Sequence, residues 1–570
     1  MMADLILLHA PAQFDFTRRA RLLGPISDVI PSSPVFEMYP VGFVALASYL
    51  DRHGFSVRIV NLAYMMLKKP DMDIDRFLAR LKPRLAFGID LHWLPHAYGA
   101  LELARRLKRL HPRIPVVFGG LSSTYFHREL LEREHIDFVV RGDSTERPML
   151  ALLRSIEKGG GFGDVPNLTW RDGGSTVENP LTNVPDRLDE GLNEYPRFVL
   201  KSGLRFDLFK PTPFFGWWRY PIFAVLTCRG CTQNCVICGG SKWSYEFYAG
   251  RGRIAFQSPE VVARRAVWLA RHFGGPIFLI GDLRQGGMEY AERLLKALGK
   301  ARIKNHVVIE LFWSADRSYF DLISKNIENY NIEFSPETHD DELRRLAGKP
   351  YTTADIVETI DAALASGVRK FDIFFMSGIP KQTAGSVLES IDFFKELYDR
   401  FDDDRRLNLF ISPLAPFLDP GSIAFEKPDD YGYRILFKKL DGYVKALEAP
   451  CWPAMFNYES DAMNRDDLVD ATYEAGRRLT ELKRRRGYIS NAEAERIIER
   501  IDSSRRTLEV LEADRFAHLP ASEIMDILDR EGRLAGAETV CASREIEWPI
   551  SGRRFHFFRL ALSALLRRYG

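Results

Sequence analysis

The sequence predicts an α/β chain built from an amino-terminal doubly wound parallel sheet, a partial (βα)6 barrel and a carboxy-terminal helical domain. Three observations carry that reading. Short apolar runs alternate with helical patterns over the first 155 residues, the alternation resumes for six further units from Pro221, and charged helical patterns take over after Pro428. The 570 residues are enough for about three to four domains at roughly 150 residues each. Apolar residues make up 46% and charged residues 27%, which excludes disorder over most of the chain. Lys plus Arg (79) nearly balances Asp plus Glu (77), so no overall field favours nucleic acid as a partner. No apolar run reaches the roughly 18 residues of a membrane span, and Met1–Pro11 lacks a signal peptide's basic start and cleavage site. A cytoplasmic protein is expected.

In the first unit, residues 1–157, strands are expected at Leu5–Leu8, Val57–Val60, Leu85–Ile89, Val116–Phe118 and Phe138–Val140. Helices are expected at Val41–Arg52, Ile74–Leu81, Ala97–Leu110 and Arg128–Glu134. A ligand of such a sheet sits in the loops beyond the carboxyl ends of its strands, here His9–Phe16, Gly88–His96, Gly119–Thr124 and Arg141–Ser144. Residues 158–220, rich in glycine and turn residues, read as a linker. The barrel, residues 221–427, takes strands at Ile222–Leu226, Pro276–Ile280, Val307–Phe312, Ile332–Phe334, Phe371–Phe375 and Leu407–Ile411, separated by five helices, and its active site belongs at the strands' carboxyl ends. Residues 428–570 are helical, including Asp466–Arg486 and Asn491–Leu511. In the tail Phe555–Leu566, Phe555, Phe558, Leu562 and Leu565 recur at helical spacing between Arg553, Arg554, Arg567 and Arg568. That pattern suits either packing onto the protein or contact with a membrane surface.

Four of the six cysteines fall in one segment, T-C-R-G-C-T-Q-N-C-V-I-C from Thr227 to Cys238, directly after the first barrel strand. Such clustering disfavours a disulfide framework and points to a metal site. A four-thiolate zinc site is one reading, but only Thr232, Gln233 and Asn234 separate the two C-x2-C pairs, where zinc modules place a dozen or more residues. A ferredoxin-type cluster expects C-x2-C-x2-C-x3-C-P, and neither spacing nor proline is met. The third reading uses Cys231, Cys235 and Cys238 to bind three irons of a 4Fe-4S cluster, leaving the fourth iron open.

The C-x3-C-x2-C spacing after a barrel strand resembles the signature of the radical S-adenosylmethionine (SAM) superfamily, and T-C-R-G resembles the T-S-R-G that often precedes it. On that resemblance Cys228 replaces a serine and is not a ligand, while Ile237 stands where the family usually has an aromatic residue. Glu337–Thr352 resembles the E-S-G-S-D-E-V-L-K-x-M-N-K-G-Y-T stretch of cobalamin-associated members, which implies SAM contacts for Glu337. Gly281-Asp282 occupies the position that holds the SAM amino group, implying the same for Asp282. Ser377-Gly-Ile-Pro380 resembles the G-L-P-G-E-T turn that lies against adenine. Lys381 and Gln382 depart from it, so Gly378 and Pro380 carry over. Leu418–Ser422 resembles the P-G-T turn closing the last strand.

In the amino-terminal sheet, Pro115–Gly120 followed by Leu-Ser-Ser-Thr sets two glycines and hydroxyls at a strand end, where backbone can approach a bulky ligand. With Tyr39-Pro-Val-Gly42 and Ile136–Asp143, this resembles the cobalamin-binding domain that precedes many radical SAM barrels, implying cobalamin contacts for Gly42, Gly119, Gly120 and Ser122. No D-x-H-x-x-G motif is present. Asp90-Leu-His92 continues differently and follows another strand, so cobalt is expected without a protein histidine beneath it. The loop Asp90–His96 faces either the corrin, the substrate or a domain interface.

The resemblance implies three cofactors, a 4Fe-4S cluster, SAM and cobalamin, and an enzyme that methylates an unactivated carbon. A radical rearrangement, ring contraction or carbon–carbon coupling is the alternative with the same cofactors; a non-catalytic iron–sulfur or zinc protein is the alternative of another class. Expected partners are a small-molecule or lipid substrate and an electron donor such as ferredoxin or flavodoxin, with membrane contact through the tail helix. The absence of cysteine before Cys228 and of a carboxy-terminal cysteine set, with only Cys451 and Cys541 remaining, argues against methylthiotransferase and auxiliary-cluster subclasses.

Overall fold

The computed structural model describes residues 3–17, 35–190, 210–414, 417–449, 451–512 and 543–565. The first sheet runs in the order β2-β1-β3-β4-β5-β6-β7. Its first five strands are β1 (Leu5–His9), β2 (Val57–Asn61), β3 (Ala86–Asp90), β4 (Val116–Gly119) and β5 (Phe138–Val140), and they pair in parallel. Helices including Gly42–Arg52, Ala97–Leu110 and Glu146–Lys158 connect them. Burial on both faces explains why these strands read as unbroken apolar runs rather than alternating ones.

Two local differences from the expected elements have physical causes. The stretch read as linker contains an antiparallel hairpin, β6 (Leu168–Asp172) and β7 (Ser175–Glu178), which extends the sheet past β5. Its turn is Gly173-Gly174, both at positive φ, and its outer residues are polar and exposed, so it has little apolar signature. The helix expected at Arg128–Glu134 is instead two short ones, Leu121–Tyr125 and His127–Leu131, separated by the buried Phe126.

The second sheet has six parallel strands in the order β15-β14-β13-β12-β11-β8. These are β8 (Phe223–Leu226), β11 (Ile277–Ile280), β12 (Val307–Leu311), β13 (Tyr330–Glu337), β14 (Lys370–Ser377) and β15 (Leu407–Pro413). Each strand matches an expected one, the five expected helices from Pro259–His272 to Ala384–Arg400 separate them, and a further short helix, Asp341–Leu346, follows β13. A two-stranded ribbon, β9 (Cys228–Arg229) with β10 (Ala255–Phe256), follows the first of these strands. The carboxy-terminal region adds a hairpin, β16 (Tyr433–Ile435) with β17 (Tyr458–Ser460), and the long helices Arg465–Arg485 and Asn491–Glu512. Asn464 starts the first of these helices with a capping box closed by Asp467.

The tail forms helix Phe557–Leu565. Phe555 packs on Trp217, Trp218 and Phe273, and Ser563 meets His272, so one side docks against helix Pro259–His272. Phe557, Phe558 and Leu562 stay exposed, Phe558 at 82%. Arg567, Arg568 and Cys541 lie outside the described residues. Cys451 is buried. Among the described residues no helix is long and apolar enough to cross a membrane.

Candidate functional site

A cavity of about 630 Å³ lies where the carboxyl ends of both sheets face one another. The four clustered cysteines line it from the barrel side, and Gly42, Asp90, His92, Gly119 and Gly120 line it from the amino-terminal side.

The cysteine loop leaves β9 and is clasped from behind. Val236 N–H donates to the Ala347 carbonyl at 3.0 Å, and Gly348, at φ +89°, lies so close that a Cβ there would sit 2.3 Å from the Asn234 carbonyl oxygen. Only glycine fits that contact. Backbone N–H groups of Gln233 and Gly240 donate to Cys231 Sγ and Cys238 Sγ at 3.3 and 3.2 Å. Gly239 N–H donates to Asp419 Oδ2 at 3.0 Å, joining the loop to the turn after β15. Burial pushes the Cys231 thiol up to about 11 and raises Cys235 and Cys238 as well; neighbouring thiols add to it at Cys231 and Cys238, and at Cys235 Lys349 works against it while Glu337 adds to it. These thiols therefore ionise only when a cation takes the place of their protons.

Cys228 is set apart by its place on the paired strand β9, where it accepts from the Thr227 hydroxyl, and burial pushes it up to about 12. Among the described residues no group of three His, Cys, Asp or Glu side chains is set to hold a lone metal ion. A cluster, whose cysteines each bind a different iron, spans a wider site. The donor set, the N–H···S bonds and the shared cavity fit an iron–sulfur cluster on Cys231, Cys235 and Cys238.

Glu337 ends β13 beyond a register shift that follows Phe334, at φ +71°, and lines the cavity. One carboxylate oxygen accepts from the buried Lys349 ammonium; Oε2 is buried without a partner among the described residues. Burial opposes the charge on Lys349, but the Glu337 carboxylate outweighs it and raises the ammonium. An orphaned carboxylate oxygen facing the cavity suits an N–H or O–H donor on a bound ligand.

Other expected site residues are placed differently. Asp282 is fully buried and does not line the cavity. Its carboxylate accepts from the Arg284 guanidinium at 2.6 Å, the Arg284 N–H at 2.9 Å and the Phe312 N–H at 2.9 Å, so the structure places it in the barrel wall and not on the cavity surface. Gly378 and Pro380 are buried away from the cavity too. Gly378 N–H donates to Gln382 Oε1 at 2.8 Å and its carbonyl accepts from Tyr433 at 2.7 Å, so this turn is closed internally and covered by the carboxy-terminal hairpin. Ser122 points its hydroxyl at the His92 carbonyl, 3.5 Å away, and does not line the cavity. Gly120 lines the cavity, but a Cβ there would lie 2.6 Å from His92 Cα and N. Its glycine is required by the loop after β3.

Two cavity carboxylates were not singled out from sequence. Glu310 on β12 accepts from Gly281 N–H, and burial, with Asp282 nearby, pushes it up to about 7. Glu333 on β13 is buried beside Asp372, and burial pushes it well above the usual carboxylate range, aided by Asp372. The available signal was an acid inside an otherwise apolar strand, V-V-I-E-L and N-I-E-F.

Residues 28–151 match the model of the B12 binding domain, and residues 225–394 match that of the radical SAM superfamily. The chain is thus a radical SAM superfamily member, of the class with a B12-binding domain ahead of the barrel. The fold is similar to that of the radical SAM methyltransferase TsrM from Kitasatospora setae, with 14% identity, 94% of this chain and 100% of that chain covered, and a TM-score of 0.58. It is also similar to the cobalamin-dependent SAM radical enzyme OxsB, with 13% identity, coverage of 99% and 80%, and a TM-score of 0.54. Among curated relatives, an uncharacterized methyltransferase from Pyrococcus horikoshii is 25% identical over 63% of this chain and 73% of its own. The anaerobic magnesium-protoporphyrin IX monomethyl ester cyclase of Synechocystis is 24% identical over 46% of this chain, a match spanning about half (49%) of the cyclase.

Proposed function

We propose that this radical SAM protein uses cobalamin to transfer a methyl group from SAM to an unactivated carbon of a small molecule. The observation that carries the reading is the single cavity shared by the cysteine loop and the strand ends of the amino-terminal sheet. When bound, the cofactors supply a one-electron reductant, a sulfonium that gives either a methyl group or a 5'-deoxyadenosyl radical, and a cobalt centre that carries methyl.

The chain's own residues position and shield. Cys231, Cys235 and Cys238 hold the cluster on a loop fixed by Gly348 and Asp419. Glu337 Oε2 accepts from a donor on SAM, with Lys349 fixing the carboxylate's other oxygen. Gly42, where a Cβ would meet no atom within 4 Å, and Gly119 leave room for the corrin. The apolar walls would keep bulk water and competing reactions out of the cavity where that chemistry would run. A ferredoxin or flavodoxin is the class of protein that supplies the electron. The exposed Phe557, Phe558 and Leu562, with Arg553, Arg554 and Arg559 beside them, are read as a surface for anionic membrane. Deleting the tail should abolish flotation with anionic vesicles; unchanged flotation contradicts that part.

The second reading, rearrangement or ring formation with the same cofactors, is favoured by the likeness to the cyclase. Incubation of the reduced, reconstituted protein with SAM and candidate substrates separates the two. Methyl transfer yields S-adenosylhomocysteine and 5'-deoxyadenosine together with a product heavier by one methyl. 5'-Deoxyadenosine without S-adenosylhomocysteine selects the second reading, and neither product overturns both.

A further inference from the structure

We propose that His92 ligates the cobalt of the bound cobalamin through its Nε2, with Asp90 as the carboxylate behind it. The proposal rests on the reading that cobalamin occupies this cavity, and it reverses the expectation of a cobalt without a protein histidine.

Three histidines gather at the end of β3, and the structure separates their roles. His9 and His96 are fully buried, and the Nε2 of each faces the Phe36 carbonyl, at 3.1 and 2.8 Å. His92 alone of the three lines the cavity. Its side chain retains 30% exposure, and its Nε2 meets no protein partner among the described residues. Its other nitrogen, Nδ1, lies 2.7 Å from Asp90 Oδ2. A carboxylate only accepts, so Nδ1 carries the proton and Nε2 presents its lone pair to the cavity.

Asp90 is itself buried, and its carboxylate is held from the other side by His9 Nδ1 at 3.0 Å. A carboxylate behind an imidazole fixes the ring's tautomer and orientation and strengthens it as a metal donor. The loop is held as well. Leu91 N–H donates to the Gly119 carbonyl at 2.8 Å, Ser123 N–H donates to the Leu91 carbonyl at 3.0 Å, and Gly120 lies against the His92 backbone. The Gly119-Gly120 turn thus positions a histidine, which supplies a physical reason for the motif beyond room for a ligand.

The test is electron paramagnetic resonance of the full chain loaded with cobalamin and reduced to the cobalt(II) state. A nitrogen ligand splits the cobalt lines into triplets when it is ¹⁴N and doublets when it is ¹⁵N. Protein labelled with ¹⁵N-histidine should show doublets, and His92→Ala should lose them while retaining the corrin's visible absorption. If His92→Ala holds too little corrin to measure, His92→Gln is read in its place. Unsplit lines, triplets unchanged by the label, or doublets that persist in the His92 variants overturn the assignment while leaving cobalamin binding intact. A wild-type chain that takes up no cobalamin overturns the underlying reading instead.

Discussion

Arg229, on the strand that opens the cysteine loop, forms a two-pronged ion pair with Glu146 of the amino-terminal sheet's last helix. Nη2 lies 2.6 Å from Oε1 and Nη1 lies 2.9 Å from Oε2, with both side chains almost wholly buried. Burial opposes the charge of Arg229, and Glu146 restores it. Arg251, equally buried, pairs with Asp143 three residues before Glu146. These pairs tie the two halves of the cavity together.

Removing one partner of such a pair leaves an uncompensated buried charge, which costs about 3–5 kcal/mol. Glu146→Ala should therefore lower the urea midpoint of unfolding markedly, whereas the double replacement Arg229→Met, Glu146→Leu should recover most of the loss. A single variant as stable as the wild type would show that the pair does not join the halves.

Cys231→Ala, Cys235→Ala and Cys238→Ala should each lose cluster iron after anaerobic reconstitution, and Cys228→Ala should retain it. Iron and sulfide analysis of the four variants checks this. Equal loss in Cys228→Ala would mean that the ligand trio is misassigned.

The two glycines at the cobalamin end should respond differently. Gly120→Ala forces a Cβ to within 2.6 Å of His92 backbone at φ +117° and should destabilise the fold by more than about 1 kcal/mol. Gly42→Ala meets no protein atom, so its melting temperature should stay near wild type while cobalamin affinity falls. Thermal melts and cobalamin titrations of both variants check this.

Glu310 gives a signed pH effect. Its folded pKa of about 7 lies above the unfolded value of 4.5, so the folded chain holds a proton that the unfolded chain releases between those values. Stability should fall as pH rises from about 4.5 to 7, by about 3 kcal/mol from this group. Glu310→Gln should flatten that slope in denaturant titrations of the cofactor-free protein across the same window.

The sheets were legible because strands buried on both faces are written as apolar runs, and the six parallel strands β8 and β11 to β15 fell where those runs fall. The hairpin β6–β7 was not, because an edge ribbon with a solvated face carries a turn signal, Asp172-Gly-Gly174, and little else. The cysteine loop was legible because its chemistry depends on spacing along the chain. The place of Asp282 in the wall was not legible, because a carboxylate two residues past a strand end reads the same whether it faces the cavity or the wall. Arg284, two residues on, is the local partner that turned it inward to cap the next turn. Glu310 and Glu333 needed three dimensions, since only the closing of the sheet shows which face of each strand looks into the cavity.

The most direct test of the account is elemental analysis of the full chain, produced anaerobically with cobalamin supplied and then reconstituted. Four irons and one cobalt per chain, with the cobalt retained through gel filtration, are the expected result. Stoichiometric zinc in place of iron, or cobalt lost on the column, would contradict a single cavity that holds cluster and corrin together.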